Sequence, residues 1–310
     1  MPELPEVETI ARGLAKRVSG DVIESVWLGS KPEPLKSPAG EMASTLERKR
    51  IAGVRRVGKH IVFDLEPNGV VRARLRLRSG QASDARKDRD KSSGCVSATR
   101  ARRVKDPSPH SPTQSQWIVH LGMTGRMMVC EAQVEMAKHT HAVLRLASGR
   151  ELRFVDPRRF GRLSVTHGFQ AAGSEPLEVE LERFVRLFRG RKTPIKGALL
   201  NQKLLSGVGN IYADESLFRA GIRPRRRAAS LTREDLRRLY PAVQEVLKEA
   251  IALGGSSISD YVDADGEEGF FQLQHRVYGR EGEPCLVCKT PIKRVVIAGR
   301  SSHYCPKCQK

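Results

Sequence analysis

The sequence predicts an α+β fold, with an antiparallel sheet domain, then a helical domain, then a short metal-binding hairpin. Up to about residue 172, short segments alternate between apolar and polar residues and are separated by Pro and Gly turns. From residue 173 the apolar residues recur at the helical period instead, and two Cys-x2-Cys pairs follow near residue 310. We therefore divide the chain into residues 1–172, 173–268 and 269–310.

The first domain is predicted to begin with a helix at residues 5–18. Pro5 and Glu6 suit a first helical turn, and Val7, Ile10 and Leu14 share one face. Alternating apolar and polar residues predict strands at 23–29, 60–66, 71–78, 116–121, 142–147 and 151–155. In the strand at 71–78 every second residue is an arginine, which predicts one buried face and one basic face.

The second domain contains four predicted helices, at residues 181–190, 195–205, 210–221 and 231–255. Thr232 and Asp235 have the spacing of a capping box at the start of the last helix. Gly254 suits the end of the same helix, because glycine adopts the left-handed conformation that often terminates helices.

Length and composition limit the possible classes of protein. The chain has 310 residues, 39% of them hydrophobic, so it is predicted to be globular rather than disordered. No run approaches the roughly 18 uncharged apolar residues of a membrane span. The N-terminus also lacks the basic and then apolar pattern of a signal peptide. We expect a cytoplasmic protein that has no membrane partner.

The positive charge of the chain indicates a polyanionic partner. There are 55 Lys and Arg residues against 35 Asp and Glu residues, a formal net charge of +20. Cations that neutralise phosphates release condensed counterions, which drives binding to nucleic acids. A basic solubility surface or a bias in composition is the alternative explanation.

Residues of about 70–115 are predicted to form a basic, disordered insertion, because they are rich in Ser, Pro and charged residues. Residues 72–105 carry twelve basic and three acidic residues, a net charge of +9, which leaves +11 of the total +20 on the rest of the chain. We expect this segment to strengthen nonspecific binding to DNA and to make it more dependent on salt.

Four cysteines near the C-terminus have the spacing of a structural zinc site. Cys285 and Cys288 form one Cys-x2-Cys pair, Cys305 and Cys308 form a second, and sixteen residues lie between the two pairs. Four thiolates leave no open position for a catalytic water, so one structural Zn²⁺ is expected. An iron–sulfur site or unmetallated thiols are the alternatives. The two other cysteines, Cys95 and Cys130, have no role that the sequence assigns.

Several motifs occur along the chain in one order. They are PELPEVET at 2–9, HLGMTGR at 120–126, KHTHA at 138–142, DPRRFG at 156–161, GVGNIYADE at 207–215 and VYGREGEPC at 277–285. With the C-terminal cysteine pairs, the sequence resembles the bacterial formamidopyrimidine-DNA glycosylases over nearly its whole length. The resemblance implies a β-sandwich flanked by helices, then a helix–two-turn–helix domain with a zinc-finger hairpin. It also implies a monomer that excises oxidised purines from double-stranded DNA in base excision repair and then cuts the strand as a lyase.

The resemblance implies three catalytic residues, Pro2, Glu3 and Lys59. After removal of Met1, the free amine of Pro2 would attack C1′ of the damaged nucleotide and form a Schiff base. An α-amine suits this step because its reference pKa of about 7.7–8 leaves it partly neutral at pH 7. Glu3 would transfer protons and Lys59 would stabilise charge on phosphate or sugar. Without the resemblance, these are a helix-entry proline, a first-turn carboxylate and an exposed lysine.

The resemblance also implies residues that fill the gap left by the everted base. Met123 and Phe160 would occupy the gap, and Arg158 would hydrogen-bond the cytosine that has lost its partner. By residue type alone, Met123 and Phe160 would be core residues. The neighbouring glycines and Pro157 place both in turns instead.

Further DNA contacts are implied for Lys196, Asn210 and Arg300, which match positions that hold the backbone. Taken singly, Asn210 is a simple helix cap and the two basic residues are solvated. Residues 254–262 match the loop over the everted base, in which Ser256 is the candidate for a contact to the lesion. Ser259 stands where the family usually carries a basic residue.

Two other functions remain open from the sequence. The related glycosylases that prefer oxidised pyrimidines, the endonuclease VIII-like enzymes, usually begin PEGPE, whereas this chain has PELPE and DPRRFG. A DNA-binding relative without activity is the second alternative, against which the presence of Pro2, Glu3 and Lys59 argues.

Overall fold

A computed structural model describes residues 1–68, 114–256 and 269–310. The predicted strand at 71–78, nearly all of the basic insertion, Cys95 and Ser259 lie outside the described residues. Among the described residues, no helix combines the length and the apolar character that a membrane span requires.

The first domain is a β-sandwich flanked by helices, as predicted. Its two helices are α1 (Leu4–Val18) and α2 (Ala39–Leu46). One sheet contains, in spatial order, β1 (Ile23–Leu28), β6 (Thr140–Leu146), β7 (Arg150–Val155) and β5 (Arg126–Glu131). The other contains β2 (Lys49–Val57), β3 (His60–Pro67), β4 (Ser115–His120) and β8 (Arg162–His167). All neighbouring strands are antiparallel.

The core of the sandwich lies between the two sheets and is closed at one side by α1. Phe63, Trp117 and Phe154 are fully buried, and Phe63 and Trp117 have their ring centroids 4.8 Å apart. Val7 and Leu14 of α1 pack into the same core, as the helical periodicity of the sequence predicts.

The second domain is helical and its elements are α3 (Leu181–Phe188), α4 (Ile195–Leu199), α5 (Asn210–Arg219) and α6 (Arg233–Ala252). The capping box of α6 is confirmed, because the Asp235 amide donates to Thr232 Oγ1 over 3.1 Å and the Thr232 amide donates to Asp235 Oδ2 over 2.9 Å. Gly254 has a φ of +76°, which agrees with its predicted place at the end of the helix.

Leu4 at the start of α1 belongs to the core of the helical domain rather than to that of the sandwich. Gly207 makes this contact possible, since a Cβ on Gly207 would lie 2.8 Å from Leu4 Cδ1. The first helix is therefore shared by both domains, and its N-terminal residues are placed at the junction.

Helix α4 is shorter than predicted, because it ends at Leu199 instead of continuing to residue 205. Gln202 shapes the following turn: its amide nitrogen donates to the carbonyls of Leu200 and Val208, and its oxygen accepts from the Gly207 amide. This turn brings Gly207 beside α1. The sequence also did not predict α2, β2, β5 or β8.

The C-terminal hairpin consists of β9 (Lys293–Ile297) and β10 (Arg300–Tyr304), which pair antiparallel. Asp214 of α5 holds it to the helical domain. The Asp214 carboxylate accepts hydrogen bonds from Ser302 Oγ over 3.1 Å and from the His303 amide over 2.8 Å. The hairpin is thus attached to the helical domain through a buried charge.

Arg56 joins three parts of the molecule through one nearly buried guanidinium. It donates to Glu8 of α1 over 2.7 Å, and to both oxygens of Glu175 in the connection between the domains over 2.8 and 2.9 Å. It also donates to the carbonyl of Gly58 over 3.2 Å, in the turn that carries Lys59. Two parallel hydrogen bonds to one carboxylate fix orientation as well as distance.

Candidate functional site

A cavity of about 350 Å³ lies where α1, the β2–β3 turn, α5 and β10 meet. It brings together seven of the residues that the sequence predicted to be functional. These are Pro2, Glu3, Lys59, Met123, Asn210, Ser256 and Arg300. They come from both domains and from the hairpin, so the cavity exists only when all three are assembled.

Glu3 is a buried carboxylic acid next to the nitrogen of Pro2 along the chain. Burial raises the pKa of Glu3 to about 7, while the charge of Lys59 opposes the shift. One carboxylate oxygen accepts from the Ile211 amide over 3.4 Å. The other is buried and has no hydrogen-bond partner among the described residues. A carboxyl with a pKa near 7 can both give and take a proton at neutral pH.

Gly209 is required for this position of Glu3. A Cβ on Gly209 would lie 2.0 Å from Glu3 Cδ, so a larger side chain would displace the carboxylate. Gly207 and Gly209 of the GVG motif therefore leave room for Leu4 and Glu3, respectively. The resemblance implied a contact to the DNA backbone for Asn210 of this motif, and its two glycines, for which no role was predicted, accommodate the first helix.

Glu6 is a second buried carboxylate, which the sequence did not single out. It accepts hydrogen bonds from the Tyr212 hydroxyl, from the Ser256 amide over 2.9 Å and from the Glu3 amide over 2.7 Å. Burial raises the pKa of Glu6 above its usual range. Glu6 thus ties the start of α1 to α5 and to the segment that carries Ser256.

Lys59 lies in the turn between β2 and β3 and is buried. Burial lowers the pKa of Lys59, and the nearby Glu3 and Glu6 carboxylates oppose this shift. This buried position in the cavity wall agrees with the prediction that Lys59 is a site residue. It does not fit the alternative interpretation of Lys59 as an ordinary exposed lysine. Lys59 is the only lysine among the described residues that line the cavity.

Met123 and Phe160 lie in two adjacent turns, and each is about half exposed, at 46% and 50%. The turns touch closely, since a Cβ on Gly122 would lie 2.5 Å from the Gly161 nitrogen. The guanidinium carbon of Arg158 is 4.8 Å from the centre of the Phe160 ring. Neither Met123 nor Phe160 is a core residue, and both remain available to a ligand.

Asp156 connects the two turns and is fully buried. Its carboxylate accepts from Thr124 Oγ1 over 2.5 Å, from the Gly161 amide over 2.7 Å and from the Arg158 amide over 3.2 Å. These bonds fix Met123 and Phe160 relative to each other, which is a function that the sequence did not predict for Asp156.

Lys196 differs from the prediction of a side chain that grips the DNA backbone. It has no exposed surface, and its ammonium group is 2.7 Å from Asp214 Oδ1 and 2.6 Å from the carbonyl of Ser301. A buried ion pair of this kind is not available to a phosphate. Lys196 instead holds the hairpin strand next to Arg300.

Asn210 and Arg300 lie close to each other at the edge of the cavity. Asn210 is the first residue of α5, and its amide donates to Ser301 Oγ over 3.3 Å. Arg300 is exposed at the start of β10. Ser256 is buried, and its hydroxyl lies 3.4 Å from His275 Nε2. The remainder of the predicted lesion loop, residues 257–262, lies outside the described residues.

The four C-terminal cysteines fit a tetrahedral zinc ion. All four sulfurs lie within 4.8 Å of one another, with Cys285 Sγ 3.9 Å from Cys308 Sγ and Cys288 Sγ 3.4 Å from Cys305 Sγ. Zn–S bonds of about 2.3 Å place the sulfurs of a tetrahedral site about 3.8 Å apart. Because all four positions are protein ligands, the metal would stabilise the hairpin and take no part in the reaction.

Sequence reasoning missed the buried carboxylates that organise the site. Besides Glu6, these are Asp214, which holds the hairpin, and Glu215, which accepts the amides of Arg276, Val277 and Tyr278 over 3.0, 3.0 and 2.8 Å. Both belong to the motif GVGNIYADE, but on a helix they resemble ordinary solvated acids. Only their presence inside a motif could have indicated a special role.

Three family models match the chain. They are described as the formamidopyrimidine-DNA glycosylase N-terminal domain at residues 1–163, the formamidopyrimidine-DNA glycosylase H2TH domain at 172–262, and a zinc finger found in FPG and IleRS at 282–310. The last match and the sulfur geometry confirm the predicted structural zinc site. The first two confirm the predicted fold class.

Among similar proteins, a formamidopyrimidine-DNA glycosylase of Solibacter usitatus is 41% identical over 320 residues, covering 100% of both chains. That of Desulforamulus reducens is 39% identical and covers 100% of this chain and 99% of its own. The MutM (Fpg) protein of Thermus thermophilus has a similar structure, with a TM-score of 0.75, 39% identity and coverage of 99% and 98%.

A complex of the Lactococcus lactis FPG (MutM) protein with a DNA that contains Fapy-dG has a TM-score of 0.78 to this structure. It is 29% identical and covers 99% of this chain and 100% of its own. The predicted resemblance is therefore confirmed over the full length. The chain belongs to the formamidopyrimidine-DNA glycosylase family.

Proposed function

We propose that this protein is a bifunctional glycosylase and lyase that acts in base excision repair. It removes oxidised purines, namely 8-oxoguanine and formamidopyrimidines, from double-stranded DNA and then cuts the strand by β,δ-elimination. The observation that carries the proposal is the buried pair of Glu3 and Lys59 next to Pro2 in the wall of the cavity. The DNA complexes of the Lactococcus lactis relatives, including one with Fapy-dG, support the choice of substrate.

The nucleophile in this mechanism is the secondary amine of Pro2 after removal of Met1. Its lone pair forms a bond to C1′, the bond between C1′ and the base breaks, and the base leaves with that electron pair and a proton. Opening of the sugar gives the iminium that precedes strand cleavage. The N-terminus of α1 lies beside this amine, and its dipole favours the neutral amine.

Glu3 is the proton carrier for base loss and ring opening. Its pKa of about 7 makes both protonation states available at neutral pH, and its second oxygen is free of hydrogen bonds from described residues. Lys59 supplies positive charge in the same buried space, where charge interactions are stronger than in water.

The two turns that carry Met123 and Phe160 are proposed to fill the space left by the everted base. Their half-exposed apolar side chains and the bonds of Asp156 provide a fixed wedge. Arg158, next to Phe160, is proposed to contact the cytosine that remains in the duplex.

Asn210 and Arg300 are proposed to bind the phosphates that flank the lesion. The N-terminal end of α5 presents Asn210, and backbone amides at a helix start favour anions. Lys196 contributes by positioning, because it bonds to Ser301 next to Arg300. Ser256 is proposed to contact the lesion through the backbone.

The domain limits 1–172, 173–268 and 269–310 and a nucleoid-associated location in the bacterial cytoplasm are part of the same proposal. The change from sheets to helices after β8 supports the first limit. Action on chromosomal DNA supports the location, and a monomer accounts for a cavity built from a single chain.

Borohydride reduction tests this function directly. Protein without Met1 is incubated with matched duplexes that carry 8-oxoguanine, a formamidopyrimidine or an oxidised pyrimidine opposite its normal partner. We expect a covalent complex and the fastest excision with the oxidised purines. Faster excision of the pyrimidine would indicate the sister specificity, and the absence of a covalent complex with every duplex would reject the lyase mechanism.

We predict that Glu3→Gln loses base excision and gains stability. The amide cannot transfer protons, so single-turnover excision should fall by about 10²–10⁴-fold. The raised pKa of Glu3 also means that the folded protein holds a proton that the unfolded chain releases between about pH 4.5 and 7. The carboxyl therefore lowers stability as pH rises through this range, by roughly 1–3 kcal/mol above pH 7.

Denaturant unfolding at about pH 5 and about pH 8 checks the second part, because the variant should gain stability over the wild type mainly at the higher pH. Glu24→Gln is the matched control, since Glu24 is exposed on β1. If Glu3→Gln gained the same stability at both pH values, ionisation of the buried Glu3 carboxyl could not be the cause of the gain.

A further inference from the structure

We propose that a basic patch on the helical domain is a second contact surface for the DNA backbone, beyond the lesion site. The patch consists of Arg189, Arg191, Lys192, Arg225 and Arg227, all of them exposed. None of these residues lines the cavity. The inference rests on the proposed action on DNA and adds a surface that the mechanism does not use.

The fold places two basic segments side by side. The amide of Ala229 donates to the carbonyl of Arg191 over 2.7 Å, and the amide of Ala228 donates to that of Thr193 over 2.9 Å. Pro194 and Arg227 form an antiparallel bridge. Backbone hydrogen bonds therefore hold residues 191–194 against residues 227–229, and the five cations form one surface rather than two separate runs.

The charges of the patch are not neutralised within the protein. The neighbouring Arg226 pairs with Asp235 over 2.8 Å, and Arg233 pairs with Glu182 over 2.5 Å. Within the described part of the chain, none of the five patch residues forms an ion pair, and the only side-chain hydrogen bond of Arg191 is to the Leu187 carbonyl. Cations that are held together without counter-charges repel one another, and a row of phosphates would remove this repulsion.

The patch adjoins the proposed phosphate site. Lys192 precedes Lys196 by four residues, so their Cα atoms are at most about 14 Å apart. Lys196 bonds to Ser301, the residue after Arg300, and Gly197 approaches Ala298 of the hairpin. A duplex that is held at Arg300 and extends beyond the lesion site would pass over the patch, which favours DNA over other polyanions as the occupant.

A quadruple variant tests the patch, with Arg191→Gln, Lys192→Gln, Arg225→Gln and Arg227→Gln. Affinity is measured against salt concentration with lesion duplexes of about 10 and about 30 base pairs, since each phosphate contact contributes about 0.9 to the slope of log K against log salt. On the long duplex we expect the slope to fall by about three to four, and the affinity to fall at least tenfold. On the short duplex we expect little change.

Four other exposed lysines provide a control with the same loss of charge, through Lys16→Gln, Lys31→Gln, Lys36→Gln and Lys248→Gln. The double variant Arg225→Gln and Arg227→Gln leaves the Arg191 bond intact and replaces the quadruple variant if that variant folds poorly. It should show about half of the effect expected for the quadruple variant.

At saturating enzyme, borohydride trapping of the quadruple variant should match that of the wild type. An equal loss in the control set, or equal losses on both duplexes, would overturn the proposal. Failure of the wild type to be trapped would instead reject the proposed function.

Discussion

Protein that retains Met1 is expected to form no covalent complex with lesion DNA under borohydride. In that protein the nitrogen of Pro2 is part of a peptide bond, whose lone pair is delocalised and does not attack carbon. After removal of Met1 the same nitrogen is a secondary amine at the wall of the cavity. We expect the yield of covalent complex to fall by at least about 10³-fold, because the secondary amine that would attack C1′ is missing and Lys59, the other amine at the cavity, is assigned to charge stabilisation.

Intact mass separates the two forms before the assay, so that one preparation serves as the control for the other. The variant Pro2→Gly adds a second comparison, since it keeps an α-amine of similar pKa and should retain a covalent complex in lower yield. If protein that retains Met1 gave an undiminished yield of complex, the nucleophile would have to be reassigned to Lys59. This is the only lysine among the described residues that line the cavity.

Loss of zinc is expected to weaken specific binding to DNA while the β-sandwich stays folded. A small hairpin with four thiolate ligands depends on its metal for folding. Its unfolding would release Ser302 and His303 from Asp214 and would remove Arg300 from the cavity. We expect Cys288→Ser, or a chelator, to weaken binding of lesion duplexes at least about tenfold and to reduce the salt slope, because phosphate contacts are lost.

Tryptophan fluorescence gives an independent measure of the rest of the molecule. Both tryptophans, Trp27 and Trp117, lie in the sandwich, so their unfolding transition should be nearly unchanged when zinc is removed. Cys130→Ser is the control, since Cys130 lies on β5 far along the chain from the four clustered cysteines. Simultaneous loss of the tryptophan transition would show that the hairpin is required by the whole fold.

The parts of the fold that depend on local chemistry could be predicted from the sequence. The first helix, the capping box of α6 and the cysteine pairs each require particular residues at fixed spacing. Strands such as β2 and β8 were missed because several of their residues are only half buried, which obscures the alternation. The order of the strands in the two sheets depends on contacts between distant segments, and the periodicity of one segment does not contain it.

The candidate site could likewise be predicted only in part, because some of its contacts join distant segments. Motifs indicated Pro2, Glu3 and Lys59, and the structure brings them to one cavity. Lys196 was misjudged, since a lysine followed by glycine in a basic sequence gives no sign of burial. Its partner Asp214 lies eighteen residues later on another helix, and only the tertiary structure shows that the two charges meet. Buried carboxylates are thus the part of such a site that is hardest to predict from the sequence.

The sharing of α1 and Arg56 between the two domains has a mechanical consequence. Leu4 packs in one core and Val7 in the other, and Arg56 binds Glu175 in the connection between the domains. A hinge movement about this connection would pull Glu3 away from the Ile211 amide and separate the charges at Arg56. The two domains are therefore expected to keep a fixed relative orientation when DNA binds. The duplex itself must then bend and open to deliver its damaged base.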